Sequence, residues 1–239
     1  MQKVLSLLFV VTIVGFLNAQ PTKTIVNDAN AELRTVSSFK NIEISGAITA
    51  YISQGKEGLA VSCTNPKYTD KIITKVEGNT LKIYIDKPTF SIKNFKERFK
   101  AYISVQNLEG IDISGASNVK MVDEFQLKTI KIDISGASSF KGDIFADNIK
   151  AEVSGASVVR LSGKTKYAVI DVGGASSVKA SDLLIEVCKI HASGASSARI
   201  NVNEKLEASA SGASSIGYIG NIQNVQKHAT GASTIKSLN

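Results

Sequence analysis

From residue 110 to the C-terminus, apolar residues recur at every second position, and a small-residue phrase interrupts them at a near-constant interval. Ser-Gly-Ala-Ser stands at 114–117, 135–138, 154–157, 193–196 and 211–214, with Gly-Gly-Ala-Ser at 173–176 and Thr-Gly-Ala-Ser at 230–233. The repeat glycines are Gly115, Gly136, Gly155, Gly174, Gly194, Gly212 and Gly231, so the steps are 21, 19, 19, 20, 18 and 19 residues. A fixed period of this size marks a solenoid built from one repeated unit.

Superposing the repeats on the glycine turns the period into a cross-section. Four positions before it stand Ile111, Ile132, Ala151, Ile170, Ile190, Ala208 and Lys227; two before it stand Ile113, Ile134, Val153, Val172, Ala192, Ala210 and Ala229. Four after it stand Val119, Phe140, Val159, Val178, Ala198, Ile216 and Ile235. The apolar columns fall at even offsets and the odd offsets are mostly polar, the signature of strands with one buried face. A helical solenoid needs apolar spacings of three and four over longer runs, which the glycine and the β-branched residues leave no room for.

The predicted fold is therefore all-β: a parallel β-helix of about seven coils of 18–21 residues, right-handed by the usual chirality of parallel crossovers. Each coil of short strands lies about 4.8 Å above the last, which makes a rod of roughly 30 Å. The glycine bends the chain at a corner, where φ is positive or a Cβ would clash. Ala and Ser follow it because they are small, and stacked serine hydroxyls are expected to hydrogen-bond along the ladder. Lys227, in an apolar column, marks a capping repeat.

Ahead of the coils the pattern loosens. Residues 1–19 read as an export signal, with Lys3 before the apolar run Val4 to Leu17 and a cleavage site at Leu17-Asn18-Ala19. Residues 20–36 form an extended lead-in, 37–108 a β-rich N-terminal part, and 109–239 the regular coils. Ile42-Glu43-Ile44-Ser45-Gly46-Ala47 repeats the later phrase up to the alanine and reads as a diverged coil or a related strand pair. Leu59 to Cys63 and Leu81 to Ile85 read as strands, with a turn at Glu77-Gly78-Asn79. Lys93 to Lys100 reads as a surface loop or short helix, before a strand from Tyr102 to Val105.

Composition narrows the function. The formal charge is +7, of which Lys3 leaves with the signal. A basic exported chain is drawn to anionic glycans or membrane surfaces. Nucleic-acid binding is disfavoured by export, by the absence of Trp and by cations spread along the whole chain. No transmembrane anchor is expected after signal removal, and the chain belongs in the periplasm, on the outer surface or in the medium. Cys63 and Cys188 both fall in alternating apolar runs, which favours two buried thiols over a disulfide.

Two polar columns carry the candidate chemistry. Three positions before the glycine stand Asp112, Asp133, Glu152, Asp171, His191, Ser209 and His228; five after it stand Lys120, Lys141, Arg160, Lys179, Arg199, Gly217 and Lys236. Both are at odd offsets and are expected to face solvent. An acidic row on a β-helix invites comparison with polysaccharide lyases and hydrolases, in which carboxylates act as acid and base or hold calcium. The competing reading is a wet face whose charges keep the sheet soluble. The second reading is favoured, because the rows repeat without the singular cluster an active site needs. His191 and His228, separated by the Ser209 coil and without a third ligand, make a poor zinc site. Seven equivalent serines argue for a structural ladder over a nucleophile, and no Gly-x-Ser-x-Gly elbow, dinucleotide fingerprint or phosphate loop occurs, so no cofactor is expected. The candidate ligand-facing residues are Asp112, Asp133, Glu152, Asp171, Lys141, Arg160, Lys179 and Arg199.

The leader, Arg34-Thr35-Val36-Ser37-Ser38-Phe39, the Ile-Glu-Ile-Ser-Gly-Ala phrase, Gln54-Gly55, Asn79-Thr80-Leu81-Lys82-Ile83 and the serial Ser-Gly-Ala-Ser coils together resemble a known family. It is the putative autotransporter adhesin, head GIN domain family of exported Bacteroidetes proteins, and the resemblance runs from Arg34 to Lys236. It implies a β-helical fold and an adhesin, and it brings no catalytic residues. Gly173 and Thr230 depart from the phrase but stay small. The expected function is a non-enzymatic binding or adhesion module of the cell envelope, its partner a glycan or a cell-surface protein. The alternatives are a carbohydrate-active β-helix enzyme and a structural protein that oligomerises through its terminal coils.

Overall fold

The structure, a computed structural model, describes residues 28–86 and 97–239. The segment read as an export signal lies outside the described residues. Strands β1 (Glu32–Arg34) to β8 (Gly110–Ile113) precede five long strands: β9 (Asn118–Ile134), β10 (Ser139–Val153), β11 (Val158–Val172), β12 (Ser177–Ala192) and β13 (Ser197–Ala210). β14 (Ser215–Ile219), β15 (Asn224–Ala229) and β16 (Thr234–Ser237) complete the stack. All neighbours from β9 to β16 pair in parallel, so the architecture is a parallel β-solenoid of about seven turns with a looser N-terminal region.

The cross-section derived from the glycine is the observed register. Ile132 pairs with Ala151, Ala151 with Ile170 and Ile170 with Ile190, while Val119, Phe140, Val159 and Val178 form a second column. Ile132, Ala151, Ile170, Val119 and Val159 are all fully buried. The core is one continuous stack of such columns. Cys188 occupies it between Ala168 and Leu206. Its thiol is buried, free and pushed up to about 12, because low-dielectric surroundings disfavour the thiolate. Cys63 is likewise buried and free.

The coils differ from expectation in strand length. They are continuous strands of 14 to 17 residues, not short ones. The bend within the strands coincides with register shifts, as between Lys141 and Asp143 against β9 and between Arg160 and Ser162 against β12, where the ladder is locally disrupted and then resumes. The marked corner is the glycine. Gly136 has φ 72°, and a Cβ on it would stand 2.3 Å from the carbonyl oxygen of Gly115. That oxygen accepts from Ala137 N at 2.7 Å, and the same bond links each corner to the next.

The serine after each Gly-Ala points inward. Ser157 is fully buried, and its Oγ donates to Gly136 O at 3.2 Å; Ser176 repeats this to Gly155 O at 3.2 Å. The expected ladder of stacked hydroxyls is therefore replaced by donation to carbonyls of the preceding coil, to the corner glycine as far as Ser176 and to Val172 O, Ala192 O and Ala210 O from Ser196, Ser214 and Ser233, which satisfies a polar group that the core requires to be paired.

The Gly46 phrase is a coil of this stack. β2 (Asn41–Ser45) lies parallel on β8, with Ile42 opposite Ile111. β3 (Ile48–Gln54) lies parallel on β9, with Ala50 opposite Val119, and Ala116 N donates to Gly46 O at 2.6 Å. β6 (Thr80–Ile85) and β7 (Phe99–Val105) extend the two faces in parallel. Phe99 and Lys100 thus belong to a strand, not to the expected loop or helix, because Phe99 fills the core column below Ile48. β5 (Ile72–Glu77), β4 (Gly58–Cys63) and β1 then pair antiparallel and close this end.

Candidate ligand-facing surface

The glycine corner divides the outer surface into two faces, and alternation along the strands fixes which side chains each displays. Before the corner, register places Glu43, Asp112, Asp133, Glu152, Asp171, His191, Ser209 and His228 in one outward row. After the corner, Lys120, Lys141, Arg160, Lys179, Arg199, Gly217 and Lys236 form the other. Both predicted rows exist as continuous ladders, about 4.8 Å per step.

Their electrostatics differ. Lysines thread the acidic row: two residues earlier on the same strands, Lys131 Nζ lies 3.7 Å from Asp133 and Lys150 Nζ 2.9 Å from Glu152, and from the neighbouring β6 Lys82 Nζ lies 3.3 Å from Glu43. Asp112 and Asp171 enter none of these pairs, and Asp112 is the more perturbed. Partial desolvation against the sheet, then the carboxylates of Asp133 and Glu43 on either side, push the Asp112 carboxyl up. The Lys150 ammonium holds Glu152 below its ordinary value. Three of the five carboxylates in this row, Glu43, Asp133 and Glu152, thus carry their own counter-ions.

The basic row has no such partners. Among the described residues, Lys120, Lys141, Arg160, Lys179, Arg199 and Lys236 enter none of the ion pairs within 4.0 Å. Glu124, Asp143 and Asp182 follow on the same strands without pairing to it. The row continues past the regular coils into Tyr51 and Tyr102, whose rings stack at 5.5 Å and 13°. Tyr51 was legible: it follows Gly46 by five residues, as Lys120 follows Gly115.

Sequence reasoning missed the anchor beside these tyrosines. Asp28 Oδ2 accepts from Tyr102 OH at 2.7 Å, Ser62 Oγ at 2.8 Å and Lys100 Nζ at 3.0 Å. Burial works against its ionisation, but these donors outweigh it and hold the carboxyl well below the usual range. No local pattern announces a site whose parts lie 34 to 74 residues apart.

The predicted separation of His191 and His228 by the Ser209 coil is observed. Among the described residues no three His, Cys, Asp or Glu side chains are grouped to hold a metal ion. No described helix is long and apolar enough to cross a membrane.

Comparison with solved structures finds the same solenoid elsewhere. A putative adhesin from Bacteroides fragilis NCTC 9343 superposes with a TM-score of 0.81 at 23% identity, over 87% of this chain and 96% of the other. A putative adhesin from Parabacteroides merdae ATCC 43184 gives 0.69 at 16% identity, covering 87% and 95%. A structure from Parabacteroides distasonis ATCC 8503, described as a putative lipid binding protein, gives 0.66 at 18% identity, covering 89% and 98%. At these identities the likeness concerns the fold. No curated protein matches. The family described as putative auto-transporter adhesin, head GIN domain, matches residues 38–221, and the chain belongs to it.

Proposed function

We propose that this chain is a non-enzymatic, adhesin-like binding module of the cell envelope, which holds a surface glycan or protein against the face after the glycine corner. The observation that carries this reading is the basic row: six cations in register on one outward face, in no ion pair, beside an acidic row in which three of five carboxylates are paired with lysines. Cations left without counter-ions attract an anionic partner and speed its arrival. A solenoid repeats that recognition along its length, which suits an extended partner. Export agrees with the leader read at 1–19 and with the family's description.

A carbohydrate-active enzyme needs carboxylates whose environments push their proton affinities apart at one place. The carboxylates here repeat coil after coil. The test is a glycan array on residues 20–239 with product analysis by mass spectrometry, repeated on Lys141→Glu/Arg160→Glu. Binding of intact ligands that the variant loses supports the proposal. Cleaved products, or binding that the variant retains, overturn it.

A further inference from the structure

The basic row is broken at one coil. Lys179, Arg199, Gly217 and Lys236 stand on successive strands, so β14 offers no side chain where its neighbours carry a cation. Leu238 lies across the gap: a Cβ on Gly217 would stand 2.6 Å from Leu238 Cδ1. These residues line a cavity of about 420 Å³, within the usual range for small-ligand sites. The cations rim it on one side. On the other stand the hydroxyls of Ser197, Ser215 and Thr234, two residues earlier on the same outward face. Asp182, three residues along β12 from Lys179, forms no ion pair with the rim.

We infer that this cavity seats one acidic sugar of a surface polysaccharide, with its carboxylate between Arg199 and Lys236, its hydroxyls on Ser215 and Thr234, and a C–H face on Leu238. This rests on the binding-module reading and gives it a ligand class. Three cations without counter-ions call for a negative charge. A line of hydroxyls beside them offers donors and acceptors to a polyol, which a simple anion does not use. Leu238, 41% exposed, supplies the apolar wall on which a sugar ring rests. A lipid surface is a worse match, since the lining sets three cations and a line of hydroxyls around a single large exposed apolar side chain. The rest of the row then guides the chain that runs on from the seated residue.

The experiment titrates short end-labelled oligogalacturonides, with neutral galactose oligomers as control, against the exported chain by fluorescence anisotropy. Arg199→Gln and Lys236→Gln should each weaken binding about tenfold, the scale of a lost charge-assisted hydrogen bond. Lys120→Gln, about 19 Å along the stack from Arg199, should change it less than about twofold. The decisive variant is Gly217→Lys with Leu238→Ala, which fills the cavity while adding a positive charge. It should abolish binding, with thermal melting to establish that it stays folded. Tighter binding by that variant, or equal losses at Lys120 and Arg199, would mean that charge alone attracts the probe and would overturn the cavity assignment. So would failure of the wild-type chain to hold oligogalacturonides while it binds other ligands on the array, an outcome that leaves the binding-module reading standing.

Discussion

Lys227 closes the last coil over Tyr218: its Nζ lies 5.6 Å from the ring centroid and donates to the phenol oxygen at 3.3 Å. Lys227 stands in the apolar column directly beyond Ala208, and Tyr218 is 8% exposed. The lysine stem therefore covers core that its ammonium keeps wet.

Lys227→Ala should cost about 0.5–1 kcal/mol, the value of an exposed cation–π contact. Lys227→Ile should produce concentration-dependent self-association, because it extends the apolar column to an unpaired strand edge. Size-exclusion chromatography over a dilution series reads this. Identical elution at every concentration would remove the ammonium from any role in keeping that end soluble.

The corner glycines should be graded by what lies beneath them. Gly136→Ala places a Cβ 2.3 Å from a backbone oxygen at positive φ and should cost about 3 kcal/mol or more. Gly78, at φ 58° with nothing within 4 Å of its would-be Cβ, should cost only about 1 kcal/mol on the same change. Gly231, whose Cβ would stand 2.9 Å from Gly212 O in the last coil, should fall between them. Urea unfolding of the three variants gives the order.

Adjacent residues on β9 should respond oppositely. Ile132 is fully buried, so Ile132→Asp should unfold the chain or cost at least about 4 kcal/mol by burying an unpaired charge. Val172→Asp should do the same. Asp133 faces water with Lys131 3.7 Å away, and Asp133→Asn should stay within about 0.5 kcal/mol of wild type. Thermal melts that rank Ile132 and Asp133 alike would refute the register.

Acid should separate Asp28 from Asp112. The Asp28 carboxyl is depressed in the folded state, so its stabilisation is present above the unfolded value near pH ~4 and is lost as pH falls below it. Asp112 is raised, so its ionised form opposes folding and protonation relieves it as pH falls through its folded value. Asp28→Asn should therefore flatten the acid loss of stability, and Asp112→Asn should steepen it. Melting temperatures from neutral pH into acid measure both slopes.

Much of this molecule is decided locally. Alternation along a strand fixes which face each side chain takes, and a positive φ fixes where glycine must stand, so the columns through Ile132 and Val159, the corner at each repeat glycine and both charged rows could be read from residue spacing. The Gly46 coil, with Glu43 and Tyr51 at the same offsets as the later charged columns, was legible for the same reason. Stacking decided the rest. Whether a carboxylate or cation keeps its charge depends in part on the neighbouring strand, as Lys82 of β6 pairs with Glu43 of β2 while no carboxylate among the described residues pairs with Arg160. The inward serines depend on which carbonyl the preceding coil presents, and Asp28 depends on Ser62, Lys100 and Tyr102 converging from distant strands. The cavity at Gly217 brings together Arg199, Lys236 and Leu238, which lie far apart along the chain. Apart from same-strand pairs such as Lys150–Glu152, such contacts join residues about one period or more apart, where spacing along a strand carries no information and only the packing of one coil on the next sets the chemistry.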